Sequence, residues 1–485
     1  MYRITHLYGL LRIIAATAAV LMFSSCAGRS LLRQDKISDA VAEGDFLTAI
    51  SLIRENDNLY GRNNEFLYNM DIGVLFHYAG KFDSSNTYLM RAADVYDELF
   101  ARSVTNEAAA ILVNDNIRPY RSKPYEIVHL HMFAALNFMA MGRVDDALVE
   151  TRRMQLHFNE WERRDRSGNR YTNDGMFHLI SSIIYEQAGE IDNSLISLFK
   201  SVQAYQNGPV PLPSVVRDYA YTKLVTYDRA ADTARLNITA PEGNSVWELN
   251  PRGSEIVVVS YAGRGPVLRE TVWAGTYVKD GLLVLRYTDP NGNTEVITTH
   301  APALPQSEYE KANQGQPTRS GTTFRIKVAL PMVSTSTSRV AHFTADPGTG
   351  NAKRSVVVSD IDLLARDYHQ DNWNATLSRT VVRVILRTIA AERTKAQMRT
   401  DNPVLNLLLN LGTDVVTDQM ERADVRNCFL LPQTIHLTRI PVDTGTHSVT
   451  VKAYDRNGNV IRSKNIDDIT VRRGERRFVF NHSFY

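Results

Sequence analysis

From about Leu31 to Val225 the apolar positions fall three or four residues apart, with few runs of β-branched residues, which predicts helices. The fullest example starts at Pro124, a residue suited to the first turn of a helix. Ile127, Leu130, Ala134 and Met141 recur at helical spacing, as do Leu136 and Met139; after Gly142 come Ala147, Leu148, Met154 and Phe158. One local phrase returns along this half. It reads Ala42-Glu43-Gly44-Asp45-Phe46, then Tyr78-Ala79-Gly80-Lys81-Phe82, Met141-Gly142-Arg143-Val144 and Gln187-Ala188-Gly189-Glu190-Ile191. Each glycine closes one apolar helical stretch and precedes another, and a residue that takes positive φ readily ends a helix at little cost. Paired helices are the expected result.

Near Leu236 the pattern changes to short runs of β-formers. Ile256-Val257-Val258-Val259-Ser260-Tyr261 is a compact strand signal. Leu282–Thr288 and Thr294–Thr299 flank Asp289-Pro290-Asn291-Gly292-Asn293, a hairpin turn. Phe324–Leu330, Ser355–Val358, Thr434–Ile440, His447–Tyr454, Val460–Lys464, Ile469–Val471 and Arg477–Phe480 complete the strands, with a type I′ turn expected at Asn457-Gly458. Short, evenly spaced strands suggest a β-sandwich. Between them Ser378–Met398 reads as one helix, with Val381, Val384, Ile385 and Ile389 on one side and Arg379, Arg383 and Arg387 aligned on another. Val404–Leu411 is the most apolar later segment, either a buried helix or a patch that meets a partner.

The helical phrase looks like the turn of a tetratricopeptide (TPR) repeat. Glycine intervals of 36, 62 and 47 residues, against a repeat of about 34, predict an irregular TPR-like array with insertions at Asn114–Pro124 and Arg163–Asn173. The expected fold class is α+β and multidomain. Residues 26–232 would form the TPR-like helical domain, and residues 233–485 a β-rich, sandwich-like domain with a helical insert at about 360–422.

The first 25 residues read as a signal peptide. Arg3 and Arg12 supply positive charge, and Ile13–Phe23 is an apolar run of eleven residues broken only by Thr17. That is shorter than the roughly 20 residues a spanning helix needs. Ser24-Ser25-Cys26 resembles the lipobox of a bacterial lipoprotein, with Phe23 where Leu is commonest. Cleavage before Cys26 would leave lipid on its sulfur and its new amino group; the alternative is an ordinary secretory signal cut near Ala27. Without residues 1–25 the chain carries 53 basic and 53 acidic residues, so no long-range field gathers nucleic acid and none is expected as a partner. If Cys26 is lipidated, Cys428 stands alone and burial is its expected state.

Candidate chemistry is sparse. Glu150, Arg152 and Arg153 form a charged cluster inside a predicted helix, either a partner-binding patch or a solvated face on which Glu150 pairs with Arg153. Arg379, Arg383 and Arg387 repel one another unless partnered, by Asp360 or Asp362 within the fold or by an anionic ligand. Arg472, Arg473, Arg476 and Arg477 suit a solvated strand edge. Gly348 to Ser355 is glycine-rich but lacks phosphate-loop spacing. His129 and His131 point about 200° apart on a helix, unlike the i,i+4 histidines of zinc helices. Asp360, Asp362 and Asp367 are the acids available for a hydrolytic pair. No G-x-S-x-G elbow occurs, and no catalytic residue, metal or cofactor is assigned.

Several stretches resemble, in order, a family of bacterial lipoproteins with TPR-like helices, a β-rich C-terminal domain and no established activity. They are Pro124-Tyr125-Glu126, Ala135-Leu136-Asn137-Phe138 before Gly142, Glu150-Thr151-Arg152-Arg153, the arginine-bearing helix Arg379–Arg387, and Ala423-Asp424-Val425-Arg426 with Leu431-Pro432 beyond. Phe429 stands where the family often has tryptophan. The resemblance implies an envelope lipoprotein. The expected function is a lipid-anchored interaction or scaffold protein of envelope or outer-membrane assembly. It would be held to the outer membrane through Cys26, face the periplasm and bind an envelope protein or peptide. The candidate partner-binding residues are Glu150, Arg152, Arg153, Arg379, Arg383 and Arg387. The alternative is an envelope hydrolase or glycan-binding protein with its site in the β-domain or at the domain junction, where a cleft would be lined by acids and by aromatics such as Trp273, Trp373 and Tyr368. Ala27, Gly28 and Arg29 lack the acidic residue that retains some lipoproteins at the inner membrane.

Overall fold

The computed structural model describes residues 34–55, 60–102, 118–164, 173–243, 247–250, 253–278, 282–289, 291–300, 323–398 and 422–485. Cys26 and Val404–Leu411 lie outside them, as does the side chain of Ile389. The protein is mixed α+β with several sheets.

The helical half is a series of hairpins. Helix α1 spans residues 34–43 and α2 Phe46–Arg54; α3 (Glu65–Tyr78) pairs with α4 (Phe82–Arg102), α5 (Pro124–Ala140) with α6 (Val144–Arg164), α7 (Gly175–Gln187) with α8 (Ile191–Asn207), and α9 (Ser214–Thr226) with α10 (Ala230–Arg235). The recurring glycines sit where the turns need them. Gly44, Gly80, Gly142 and Gly189 take φ of 86°, 70°, 72° and 77°. One residue later an amide reaches back five positions, from Asp45 to the Ala40 carbonyl, Lys81 to Phe76, Arg143 to Phe138 and Glu190 to Tyr185, at 2.8–2.9 Å. This is the Schellman closure of a helix end. Two further turns close in the same way on non-glycine residues: Asp228 (φ 58°) and Asn237 (φ 51°).

The two helices of a hairpin differ in composition, and this sorts them into layers. α3, α5 and α7 are buried nearly all round, whereas α4 and α6 are apolar on one stripe only. A helix that is apolar all round needs cover on both sides. α4 and α6 supply one side; the other is a β-sheet, which α3 and α5 meet at its last strand and α7 at its outermost.

That sheet runs β12-β1-β9-β8, from β12 (Arg476–Ser483), β1 (Ser254–Arg264), β9 (Pro432–Val442) and β8 (Val356–Asp360). β1 pairs in parallel with β12 and antiparallel with β9, so the last strand of the chain lies beside the first. The run Ile256–Tyr261 has little alternation because both faces of β1 are covered. Val257, Val259 and Tyr261 join the helical core, while Ile256, Val258 and Ala262 face a second sheet. The second sheet has the order β11-β10-β6-β7, from β6 (His342–Asp346), β7 (Lys353–Arg354), β10 (Gly445–Tyr454) and β11 (Val460–Val471). The two sheets share an apolar layer that includes Phe343, Ile440, Val451, Ile469 and Val479.

The remaining strands form a separate third sheet, in the order β4-β3-β2-β5: β2 (Val267–Val278), β3 (Leu282–Thr288), β4 (Thr294–His300) and β5 (Thr323–Ser334). It is inserted between β1 and β6. A second insertion, α11 (Ile361–Asp371) and α12 (Trp373–Met398), separates β8 from β9. The two insertions cover each other: Leu377, Val381, Val384 and Ile385 of α12 pack on Trp273, Leu283, Leu285 and Val328.

Three local expectations change. Val460–Lys464 and Ile469–Val471 are one strand, β11, rather than two. β2 and β6 exist although the pattern did not single them out. The Asn457-Gly458 turn is not type I′, which needs positive φ at both central residues. Gly458 has φ 85° but Asn457 does not, and the Asp455 amide donates to the Asn459 carbonyl across a longer loop. The Asp455 carboxylate accepts from the amides of Asn457 and Asn459. Asp289 does the same for Asn291 and Asn293 in the matching Asp-x-Asn-Gly-Asn turn.

Candidate functional site

The charged cluster of α6 lies between α4 and α8. Glu150 is buried, contrary to both a binding patch and a solvated face. Its carboxylate accepts from His131 Nδ1 at 2.8 Å and lies 3.6 Å from Arg153 Nη1, so the i,i+3 pairing exists but faces inward. Arg153 is half-buried and also reaches Asp97 (3.7 Å) and the Met90 sulfur (3.5 Å). Arg152 turns outward, 56 % exposed, and pairs with Glu190 at the start of α8 at 3.0 Å. Lys200 of α8 donates to Gln155 of α6. On the outer helices three large apolar side chains are exposed: Leu156 by 67 % and Val149 by 49 % on α6, and Ile196 by 43 % on α8. Val149, Arg152 and Leu156 recur at i, i+3 and i+7, one stripe of α6.

The α12 arginines do not share a solvent face. Arg379 is exposed and its Nε donates to the Ala375 carbonyl, Arg383 is buried and Arg387 is half-buried. The acids expected to meet them are engaged elsewhere. Asp360 caps α11 through the Leu363 amide, and Asp362 accepts from Gln433 Nε2 at 2.7 Å. Burial pushes the Asp362 carboxyl up to about 6, and Asp360 beside it adds to the shift. The α12 arginines pack with the third sheet and the α6 cluster among the outer helices, so the two groups belong to different parts of the fold.

Two distant stretches, Pro124–Glu126 and Ala423–Cys428, meet in space at the start of α5. Glu126 has no exposed surface. One carboxylate oxygen accepts from the Tyr120 hydroxyl (2.6 Å) and the Lys123 amide (2.8 Å), and the other from the Cys428 amide (3.1 Å). Lys123 Nζ reaches the Arg426 carbonyl at 3.0 Å. Arg426 binds Asp424 through two nitrogens and also the Asn64 side chain and the Arg118 carbonyl. Thus Pro124-Tyr125-Glu126 and Ala423-Asp424-Val425-Arg426, 300 residues apart, form one polar seam. Asp71 lies beside it, accepting from the Tyr60 hydroxyl at 2.7 Å, and burial pushes its carboxyl well above the ordinary range. Cys428 is buried and unpaired, and burial followed by the Glu126 and Asp71 charges pushes its thiol up.

Two further clusters join the helices to the first sheet. His77 of α3 sits between Asn137 of α5 (2.6 Å) and Tyr261 of β1 (2.7 Å). The Asn137 amide nitrogen donates to Ser85 and Asn86, so its oxygen faces His77 and the ring proton belongs on Nδ1. The Tyr261 hydroxyl then donates to Nε2. Burial lowers His77 to about 4. Beyond it, Glu186 of α7 binds Lys223 (3.1 Å) and Arg476 (3.0 Å), while Arg439 grips Glu255 at 2.9 and 2.6 Å. Burial alone would raise the Glu186 carboxyl, but Lys223, Arg439 and Arg476 outweigh it and hold it low. Arg476 is therefore buried and ion-paired, not part of a solvated edge; Arg472 and Arg473 remain exposed.

The other chemical candidates have structural duties. In the glycine-rich loop the Asp346 carboxylate accepts from the amides of Gly348, Thr349 and Gly350, which fills the place a phosphate would need. His129 Nδ1 donates to the Tyr125 carbonyl, away from His131. Among the described residues no group of three or more His, Cys, Asp or Glu is placed to hold a metal ion. Trp273 is buried in the third sheet's core, Trp373 packs at its margin and Tyr368 against Tyr125, so these aromatics do not line one cleft. In the sequence Glu126 stands out only within the stretch Pro124-Tyr125-Glu126, with no role assigned, and nothing marks His77 or Glu186.

Fold and site together define an α+β protein whose helical hairpins are backed by a sheet and whose outer helices carry exposed apolar side chains, two of them on the stripe of the ion-paired Arg152. Its sequence matches no family model and no curated protein.

Proposed function

We propose that the protein is a lipid-anchored envelope lipoprotein of the TPR-like, β-rich family it resembles, acting as an interaction or scaffold module. Cys26 is its anchor, and the outer membrane, facing the periplasm, its place of work. The supporting observation is the stripe of Val149, Arg152 and Leu156 on α6, with Ile196 exposed on α8. Large apolar side chains exposed together and rimmed by charge mark a surface that meets another protein. The first sheet packs against the inner face of the hairpins, which favours the outer helices as the surface offered to a partner. A lipid tether raises the local concentration of such a surface among other envelope proteins.

Affinity capture from crosslinked envelopes tests this reading. The wild-type protein is expected to retain a reproducible partner that Leu156→Asp with Arg152→Glu loses. Recovery of abundant lipoproteins alone, with cleavage of peptidoglycan or polysaccharide by the pure protein, overturns it. Labelling with radioactive fatty acid is expected in the wild type and absent in Cys26→Ala.

A further inference from the structure

Every open sheet has edges, and an unprotected edge pairs with another strand. Most edges here are blunted. β8 is five residues long, carries a bulge, and gives its Val358 carbonyl to the Tyr205 hydroxyl at 2.6 Å. β12 is almost wholly buried. β7 has two residues. β11 carries Lys464 and Asp467, a register shift opposite, and Asp468 at φ 56°. β5 contains Pro331, which cannot donate to a ladder, and is flanked by α11.

β4 has none of these devices. It reads Thr-Glu-Val-Ile-Thr-Thr-His, with no proline, lysine or bulge, and its register with β3 is continuous from Thr294 to His300. Among the described residues no strand pairs with its outer edge. Thr294, Glu295, Val296 and Thr298 are exposed, Val296 by 53 %. Ile297 points to the other face and packs at the margin of the α12 core.

We propose that β4 pairs antiparallel with β4 of a second copy of this chain, joining two four-stranded sheets into one. The strand is self-complementary about Ile297. A two-fold axis there sets Ile297 against its own copy and Val296 against Thr298 of the partner. The one acid, Glu295, falls opposite position 299 rather than opposite another acid. β-branched pairs of this kind stabilise a ladder, and like charges directly opposed would not. Ile297 would continue the apolar layer across the junction, and a two-fold contact closes at two copies.

Sedimentation of the purified full-length protein tests the proposal. A concentration-dependent dimer is expected, and Val296→Lys should weaken it about tenfold or more, since edge lysines block pairing. At concentrations where both proteins are monomeric its melting temperature should stay that of the wild type, because Val296 is outside the core. Mixing Val296→Cys with Thr298→Cys copies should give an intermolecular disulfide that neither variant gives alone. A monomer at every concentration overturns the proposal. So does a dimer that survives Val296→Lys and forms no mixed disulfide.

Discussion

Glu126 accepts four hydrogen bonds while wholly buried: from the Tyr120 hydroxyl, from the amide and Nζ of Lys123, and from the Cys428 amide, 302 residues away. Removing the carboxylate leaves those donors dry and Lys123 without its nearest acid. Glu126→Ala should therefore lower stability by about 3–5 kcal/mol in chemical denaturation. Cys428 supplies a local reporter. Its thiol is buried and held protonated, so a thiol reagent should label it slowly in the wild type and quickly in Glu126→Ala. His77 makes a pH prediction. Its folded pKa of about 4 lies below the unfolded value near 6.5, so below pH ~6.5 the unfolded chain binds a proton that the folded chain refuses. Its stabilising share is whole above pH ~6.5 and drains away as pH falls towards 4. The stability gap between wild type and His77→Gln should narrow there by up to about 1.4 kcal/mol per pH unit, measured by denaturation at each pH. A gap independent of pH would mean that His77 titrates normally. These residues differ in how far the sequence exposed them. Glu126 follows a proline at a helix start, a local signal. His77 is marked only by Asn137 and Tyr261, which no local pattern connects to it.

The helix-closing turn is the clearest link from sequence to element. Gly142 has φ 72°, and a Cβ added to it would touch nothing within 4 Å. The cost of Gly142→Ala is thus backbone strain alone, roughly 1–2 kcal/mol for an L residue in the left-handed region. Asp228 occupies the same place in the α9–α10 turn at φ 58°. Asp228→Gly should stabilise by roughly 0.5 kcal/mol, the strain relieved less the entropy that glycine adds to the unfolded chain. Thermal unfolding of both variants checks the pair, and a loss of stability in Asp228→Gly would show that its side chain matters more than its φ. Four turns were legible because glycine marks them; those at Asp228 and Asn237 were not, because non-glycine residues bear the same strain. Strands divide likewise. β1 announced itself by an unbroken apolar run. β2 was hidden because Arg269, Glu270 and Thr271 interrupt it, and Asp467-Asp468 made β11 look like two strands.

At the scale of the molecule the sequence suggests two bodies in succession, yet the packing joins them. The largest apolar cluster runs from Ile37 through α3, α5 and α7 into β1, β9 and β12 and ends at Phe484. Phe484, the penultimate residue, packs on Tyr78 (ring centroids 4.9 Å apart) and lies 6.3 Å from Phe46. Arg476 reaches Glu186 across 290 residues. Contacts this distant in sequence leave no periodic trace, so a boundary near residue 232 reflects composition and says nothing of cooperativity. A shared core predicts shared unfolding. Phe484→Ala removes a side chain that is 2 % exposed and should cost about 3–5 kcal/mol. If helices and sheet open together, amides of α3 and α5 should lose as much protection against hydrogen exchange as those of β1, although the substitution lies at the far end of the chain. α12 and β2, which share a separate cluster, should keep theirs. Unchanged protection in α3 and α5 would mean that the hairpins fold on their own and merely rest against the sheet. Loss across both elements would make the sheet part of the hairpins' core, leaving the outer helices as the surface on which the array can meet a partner.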